Sequence, residues 1–100
     1  MDLEIFISET AKSQLDVLLQ NSDKKCIRIL AKRPSIYEDA SFDLELDDPK
    51  TDDMIFNADK YQVIININLA VQLESISISY GGLLSRDKFA VEADLGIFKY

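Results

Sequence analysis

Apolar and polar residues alternate through most of this chain, and that alternation predicts a series of short strands. Leu3, Ile5 and Ile7 alternate around Glu4 and open the chain with a strand. The period then changes. Ala11, Leu15, Leu18 and Leu19 recur at helical spacing and predict an amphipathic helix of about three turns. Ser8 suits its N-cap and Glu9 the positive end of its dipole, although Ala11 at the third helical position leaves no capping box. Asn21, Ser22 and Asp23 end it.

From Cys26 to Pro49 the pattern predicts two strands joined by a loop. In the first, Ile27, Ile29 and Ala31 share one face, while Arg28 and Leu30 share the other. In the second, Phe42, Leu44 and Leu46 oppose Asp43 and Glu45. The loop, Lys32 to Ala40, is too long for a minimal hairpin turn, and loops of that kind often carry a scaffold's chemistry. An Asp-rich turn containing Pro49 follows, then a short apolar piece at Met54–Phe56 and another turn at Asn57–Lys60. Val63, Ile65 and Ile67 alternate with Ile64, Asn66 and Asn68, which predicts a strand. Leu69–Leu73 reads as a brief helical turn, and Ile76, Ile78 and Tyr80 alternate with serines as a half-buried strand. Gly81-Gly82 breaks it, and Phe89 and Val91 support a last strand.

One helix among about six or seven short strands predicts a mainly β (α+β) fold. The expected form is a sandwich or partial barrel with the N-terminal helix packed on it, not a parallel α/β sheet. Exposed edges of such a sheet invite pairing with another chain, which charged positions such as Asp43 and Glu45 oppose. No repeat, low-complexity segment or linker divides the 100 residues, so a single domain over 1–100 is expected.

Composition narrows the function classes. Apolar residues make up 47% and charged residues 29%, an ordinary globular balance. Eighteen acidic against eleven basic residues give a net charge of −7, which opposes binding to nucleic acid and to an anionic membrane surface. No apolar run is long enough to span a bilayer. Acidic residues stand in MDLEIFISET where a signal peptide would carry positive charge, so a cytoplasmic protein is expected. The single cysteine forms no internal disulfide, in keeping with a reducing compartment. The absence of histidine removes the commonest general base and the commonest metal ligand together.

Several short pieces stand in a telling order. An opening strand and helix, ISETAKSQLDVLL, lead to the apolar-Arg-apolar unit Ile27-Arg28-Ile29. The acidic-Pro turn Asp47-Asp48-Pro49 comes next, then Asp53-Met54-Ile55-Phe56 and the β-branched run Val63-Ile64-Ile65-Asn66. Ile78-Ser79-Tyr80 follows, with Phe89 nine residues after Tyr80. This order resembles the HesB/IscA family, the A-type iron–sulfur carriers of cluster assembly, over most of the chain. The resemblance implies a HesB-like fold and a lineage in iron–sulfur cluster biosynthesis. It also implies cluster ligands: a cysteine in the loop after the Arg-bearing strand and a Cys-Gly-Cys near the C-terminus. At the loop position this chain has Ile36, within Ser35-Ile36-Tyr37-Glu38, and it ends at about the place where the second motif would begin. Clusters are held by thiolates, which Ile36 cannot supply, so no cofactor is expected and the family activity is carried onto no residue.

The remaining candidate residues divide between chemical and ordinary uses. Cys26 is either a redox-sensitive thiol, or one ligand of a cluster shared between chains, or a small, partly buried residue at a strand start. Lys32, Arg33 and Tyr37 could bind an anionic ligand or a partner's acidic patch, or simply form a solvated loop. Asp43, Glu45, Asp47, Asp48, Asp52 and Asp53 carry the right atoms for a hard cation, without the spacing of a calcium loop. Ser75, Ser77 and Ser79 lack a histidine base and form a polar face, and Gly81-Gly82 lacks the pattern and lysine of a phosphate loop. The expectation is a non-catalytic, HesB/IscA-like accessory or protein-interaction module that has lost cluster binding, with a protein partner, not nucleic acid or membrane. The alternative is a small-ligand or hard-metal-ion module using the 32–40 loop or the 43–53 acidic turn. Oligomeric state stays open.

Overall fold

In the computed structural model, described for residues 3–32, 41–81 and 88–95, seven strands form one mixed sheet around a single long helix. Strand β1 (Glu4–Ile7) leads into helix α1 (Glu9–Gln20). Strands β2 (Cys26–Lys32), β3 (Ser41–Asp47), β4 (Asp53–Ala58) and β5 (Tyr61–Asn66) follow. A single helical turn, α2 (Ile67–Ala70), precedes β6 (Leu73–Tyr80) and β7 (Phe89–Leu95). The order across the sheet is β1-β6-β7-β3-β2-β5-β4, and the two edge strands β1 and β4 approach one another, so the sheet curls into a nearly closed barrel.

Neighbours in sequence pair as antiparallel hairpins: β2 with β3, β4 with β5, and β6 with β7. The hairpins are assembled by longer-range contacts, with β1 parallel to β6, β2 parallel to β5, and β3 antiparallel to β7. The expected mainly β architecture with one packed helix therefore holds. Strand β3 is not an edge, however. It lies between β7 and β2, so the outward carboxylates Asp43 and Glu45 guard no free edge.

Helix α1 starts where predicted. Ser8 is extended (φ −68°, ψ 160°) and its Oγ accepts a hydrogen bond from the Ala11 amide at 3.2 Å. The Ser8 amide donates to Ile78 O at 2.9 Å, which ties the helix start to β6. Ala11 and Leu15 are fully buried and pack into a core with Ile27, Ile29, Val63, Ile65, Ile76 and Ile78.

Three local expectations change. The β4 strand runs on through Ala58, and only Asp59 and Lys60 turn the chain, with Asp59 in the left-handed region at φ 54°. Ile67 is not a strand residue; it opens α2, where Asn66 Oδ1 accepts from the Asn68 amide and caps the turn, two residues ahead of the predicted Leu69–Leu73. Ala31 keeps the face of Ile27 and Ile29 in the unbroken β2–β3 register but is exposed near the end of β2 rather than buried with them. No helix among the described residues is long and apolar enough to cross a membrane.

Candidate functional site

The fold places one constraint on the chain that concentrates polar side chains. Strands β3 and β4 run the same way but are separated by β2 and β5, so their connection, residues 48–52, has to cross those two strands. Alternation along β2 sends Ile27 and Ile29 to the core and Arg28 to the opposite face, beside Ile64 of β5. Arg28 meets both ends of the crossing chain there. Its Nε donates to Asp47 Oδ2 at 2.8 Å, and its Nη1 and Nη2 donate to Asp53 Oδ1 and Oδ2 at 2.7 and 2.6 Å. Nη2 also reaches the Asp48 carbonyl at 3.3 Å.

These bonds make a bidentate, charge-assisted pair in a nearly water-free place, since the Asp53 side chain is 1% exposed and that of Arg28 9%. The Arg28 guanidinium lowers the pKa of both Asp47 and Asp53, outweighing the opposing effect of desolvation. The rest of the turn is similarly engaged. The Lys50 amide donates to Asp53 Oδ2 at 2.7 Å, Lys24 pairs with Asp48 at 3.0 Å, and Asn66 Nδ2 donates to Asp52 at 2.9 Å. Asp43 and Glu45 point outward from β3 as expected. Among the described residues, no group of three or more His, Cys, Asp or Glu side chains is arranged to hold a metal ion.

Cys26 begins β2 on the same face as Arg28. It is 2% exposed, and its Sγ lies 3.6 Å from Gln62 Oε1 as a weak donor. Burial, and then the carboxylate of Asp48, push the thiol pKa up, so little reactive thiolate forms near neutral pH. The segment to which Ile36 belongs leaves from the other end of β2, about 20 Å away along the strand.

Of the residues singled out in the sequence, Lys32 contributes its backbone to β2, opposite Ser41. Its side chain, together with Arg33, Ile36 and Tyr37, lies outside the described residues. Strand β7 has Val91 opposite Phe42 and runs antiparallel to β3, so it exits past the end of the sheet where β2 and β3 are joined. The places that the resemblance assigns to the two cluster-binding motifs therefore follow strands that end on the same side.

A second polar cluster escaped the sequence reading. The β4–β5 turn docks on α1 through Lys12–Asp59 at 2.8 Å, Lys60–Asp16 at 3.0 Å, and Tyr61. The buried Tyr61 hydroxyl donates to Asp16 Oδ1 at 2.6 Å and lies 3.1 Å from the Lys12 carbonyl. Burial first, and then Asp16, raise the Tyr61 pKa; the Tyr61 hydroxyl and Lys60 lower that of Asp16. An open groove of about 400 Å³ lies beside this cluster, lined by Asp16, Leu19, Gln20, Lys60 and Tyr61. The only sequence signal was a tyrosine directly after a polar turn, at a position that alternation assigns to the core.

No protein-family model matches the sequence, and no curated protein matches it. Solved structures do match the fold. Escherichia coli SufA, a protein involved in the biosynthesis of iron–sulfur clusters, superposes with a TM-score of 0.71 at 12% identity, covering 89% of this chain and 79% of SufA. IscA, solved with a [2Fe-2S] cluster, gives a TM-score of 0.67 at 21% identity, covering 92% of this chain and 85% of IscA. The curled seven-stranded sheet with its single long helix is thus the fold of SufA and IscA.

Proposed function

We propose that this chain is a divergent member of the HesB/IscA lineage that does not carry a cluster and serves as a non-catalytic, protein-binding accessory of iron–sulfur assembly. Two things support the lineage: the shared fold, and the meeting of three of the matched pieces, Ile27-Arg28-Ile29, Asp47-Asp48-Pro49 and Asp53-Met54-Ile55-Phe56, in one hydrogen-bonded cluster. The observation that carries the loss of cluster binding is the position of the sole thiol. Cys26 is buried at the start of β2, about 20 Å along the strand from the end that leads to Ile36. A cluster as cargo needs several thiolates at an accessible place, and one chain supplies a single, shielded thiol.

Anaerobic incubation with ferrous iron and sulfide tests this reading. The expected result is a protein that leaves desalting without iron, without sulfide and without visible absorbance. A stoichiometric, coloured cluster that is absent from Cys26→Ser overturns it.

A further inference from the structure

The outer face of β1, β6 and β7 carries features that nothing above uses. Pairing registers place Glu4 beside Ser75 and Ser75 beside Asp94 in one row, and Phe6 beside Ser77 and Ser77 beside Glu92 in the next. Phe6, on the edge strand β1, is 57% exposed at the border of this polar surface. On the other edge strand, β4, which approaches β1, Ile55 is 51% exposed. Ser75, Ser77, Glu92 and Asp94 line a shallow depression of about 180 Å³, and Ser75 hydrogen-bonds Asp94 at 3.1 Å. Among the described residues, no cation forms an ion pair with Glu4, Glu92 or Asp94. Lys88 lies beyond the Tyr80–Phe89 end of the hairpin, about 13 Å along the chain from Glu92.

An exposed aromatic side chain among short hydroxyls has the make-up of a docking anchor, and the carboxylates around it, which pair with no cation among the described residues, select the partner's charge. A second copy of this chain is the wrong partner. A two-fold contact through this face would set Glu4, Glu92 and Asp94 against their own copies, in a chain of net charge −7. The small side chains of Ser75 and Ser77 leave a flat floor on which an extended segment can lie.

We propose that the outer face of β1, β6 and β7 docks a basic, extended segment of a partner protein. An apolar side chain of that segment covers Phe6, and its lysines or arginines meet Glu4, Glu92 and Asp94. This inference rests on reading the chain as a protein-binding module, and it names the surface and the partner's chemistry.

Amide chemical-shift mapping with a short peptide of alternating lysine and leucine as the probe tests it, at about 0.15 M salt, where nonspecific attraction is screened beyond roughly 8 Å. The expected shifts concentrate on Glu4–Ile7, Ser75–Ser79 and Glu92–Asp94, and the glutamate–leucine counterpart gives none. Phe6→Ser, and separately Glu92→Lys with Asp94→Lys, each weaken binding about tenfold, with melting temperatures confirming that the variants fold. Shifts that centre on the Asp47–Asp53 turn, that spread evenly over the acidic surface, or that stay unchanged in both variants overturn the proposal. An absence of binding overturns it too. A cluster taken up in the iron–sulfide experiment would instead end the accessory reading while leaving this map intact, so the two failures are distinct.

Discussion

Arg28 and Asp53 face each other as a two-point ion pair, Nη1 to Oδ1 at 2.7 Å and Nη2 to Oδ2 at 2.6 Å, although 25 residues separate them in sequence. The pair fastens the crossing segment 48–52 to the strands beneath it. Removing the Asp53 charge takes the two-point partner from a buried guanidinium and leaves it the single contact with the Asp47 carboxylate. Asp53→Asn is expected to destabilise the protein by about 3 kcal/mol, read from urea unfolding. Adding Arg28→Met to Asp53→Asn is expected to cost less than the sum of the single changes, because the stranded charge goes with it.

Acid should loosen the same fastening. Asp47 and Asp53 have lower pKa values in the folded chain than their ordinary 3.8, chiefly because of the Arg28 guanidinium. The unfolded chain therefore binds more protons as pH falls. The stabilisation is complete above the ordinary value and is lost as pH falls through the lowered folded values. The urea midpoint is expected to hold steady from neutral pH to about pH 5 and to drop below about pH 4, with a shallower drop in Asp53→Asn.

Tyr61→Phe removes one hydroxyl that serves the contact between α1 and the β4–β5 turn. The expected loss is about 1–2 kcal/mol, since a buried hydroxyl bonded to a carboxylate outweighs a neutral hydrogen bond. An independent readout is the carboxyl signal of Asp16 in a pH titration. Its pKa should move up toward the ordinary aspartate value once the phenol no longer donates to it.

Cys26 should behave as a structural thiol. With 2% exposure and a pKa raised by burial, its native labelling by an aromatic disulfide reagent is expected to be at least about a hundredfold slower than in urea. Rapid native labelling would remove the basis for treating it as shielded.

The strands were legible in the sequence wherever one face meets the core and the other meets solvent. Asp43 and Glu45 against Leu44, and Ser77 and Ser79 against Ile78, are such cases, and Ser8 marked the helix start. The pattern failed where both faces are covered. Val63, Ile64 and Ile65 are all fully buried because β5 lies inside the sheet, with the core on one side and Ile64 beside Arg28 on the other. Arg28 itself reads locally as an outward charge. Only the crossing between non-adjacent strands, which no local period records, brings Asp47 and Asp53 to it. The Tyr61–Asp16 contact was hidden for the same reason, since it joins elements 45 residues apart. Family resemblance had already marked Arg28, Asp47 and Asp53 as residues of interest, but it did not reveal that they touch. Lys32 took its place in β2, while Arg33, Ile36 and Tyr37 belong to the segment outside the described residues.

The parallel pairing of Glu4–Ile7 with Ser75–Ile78 also sets an order of assembly. A ribosome releases the first strand about seventy residues before the strand that receives it, so β1 has to wait while the local hairpins form. During that interval Phe6 and its apolar neighbours on β1 have no sheet to join. Completion of β7, which joins the β1–β6 pair to β3, is thus the event that closes the chain upon itself, and a truncation before Phe89 is expected to leave a nascent chain that chaperones recognise as unfinished.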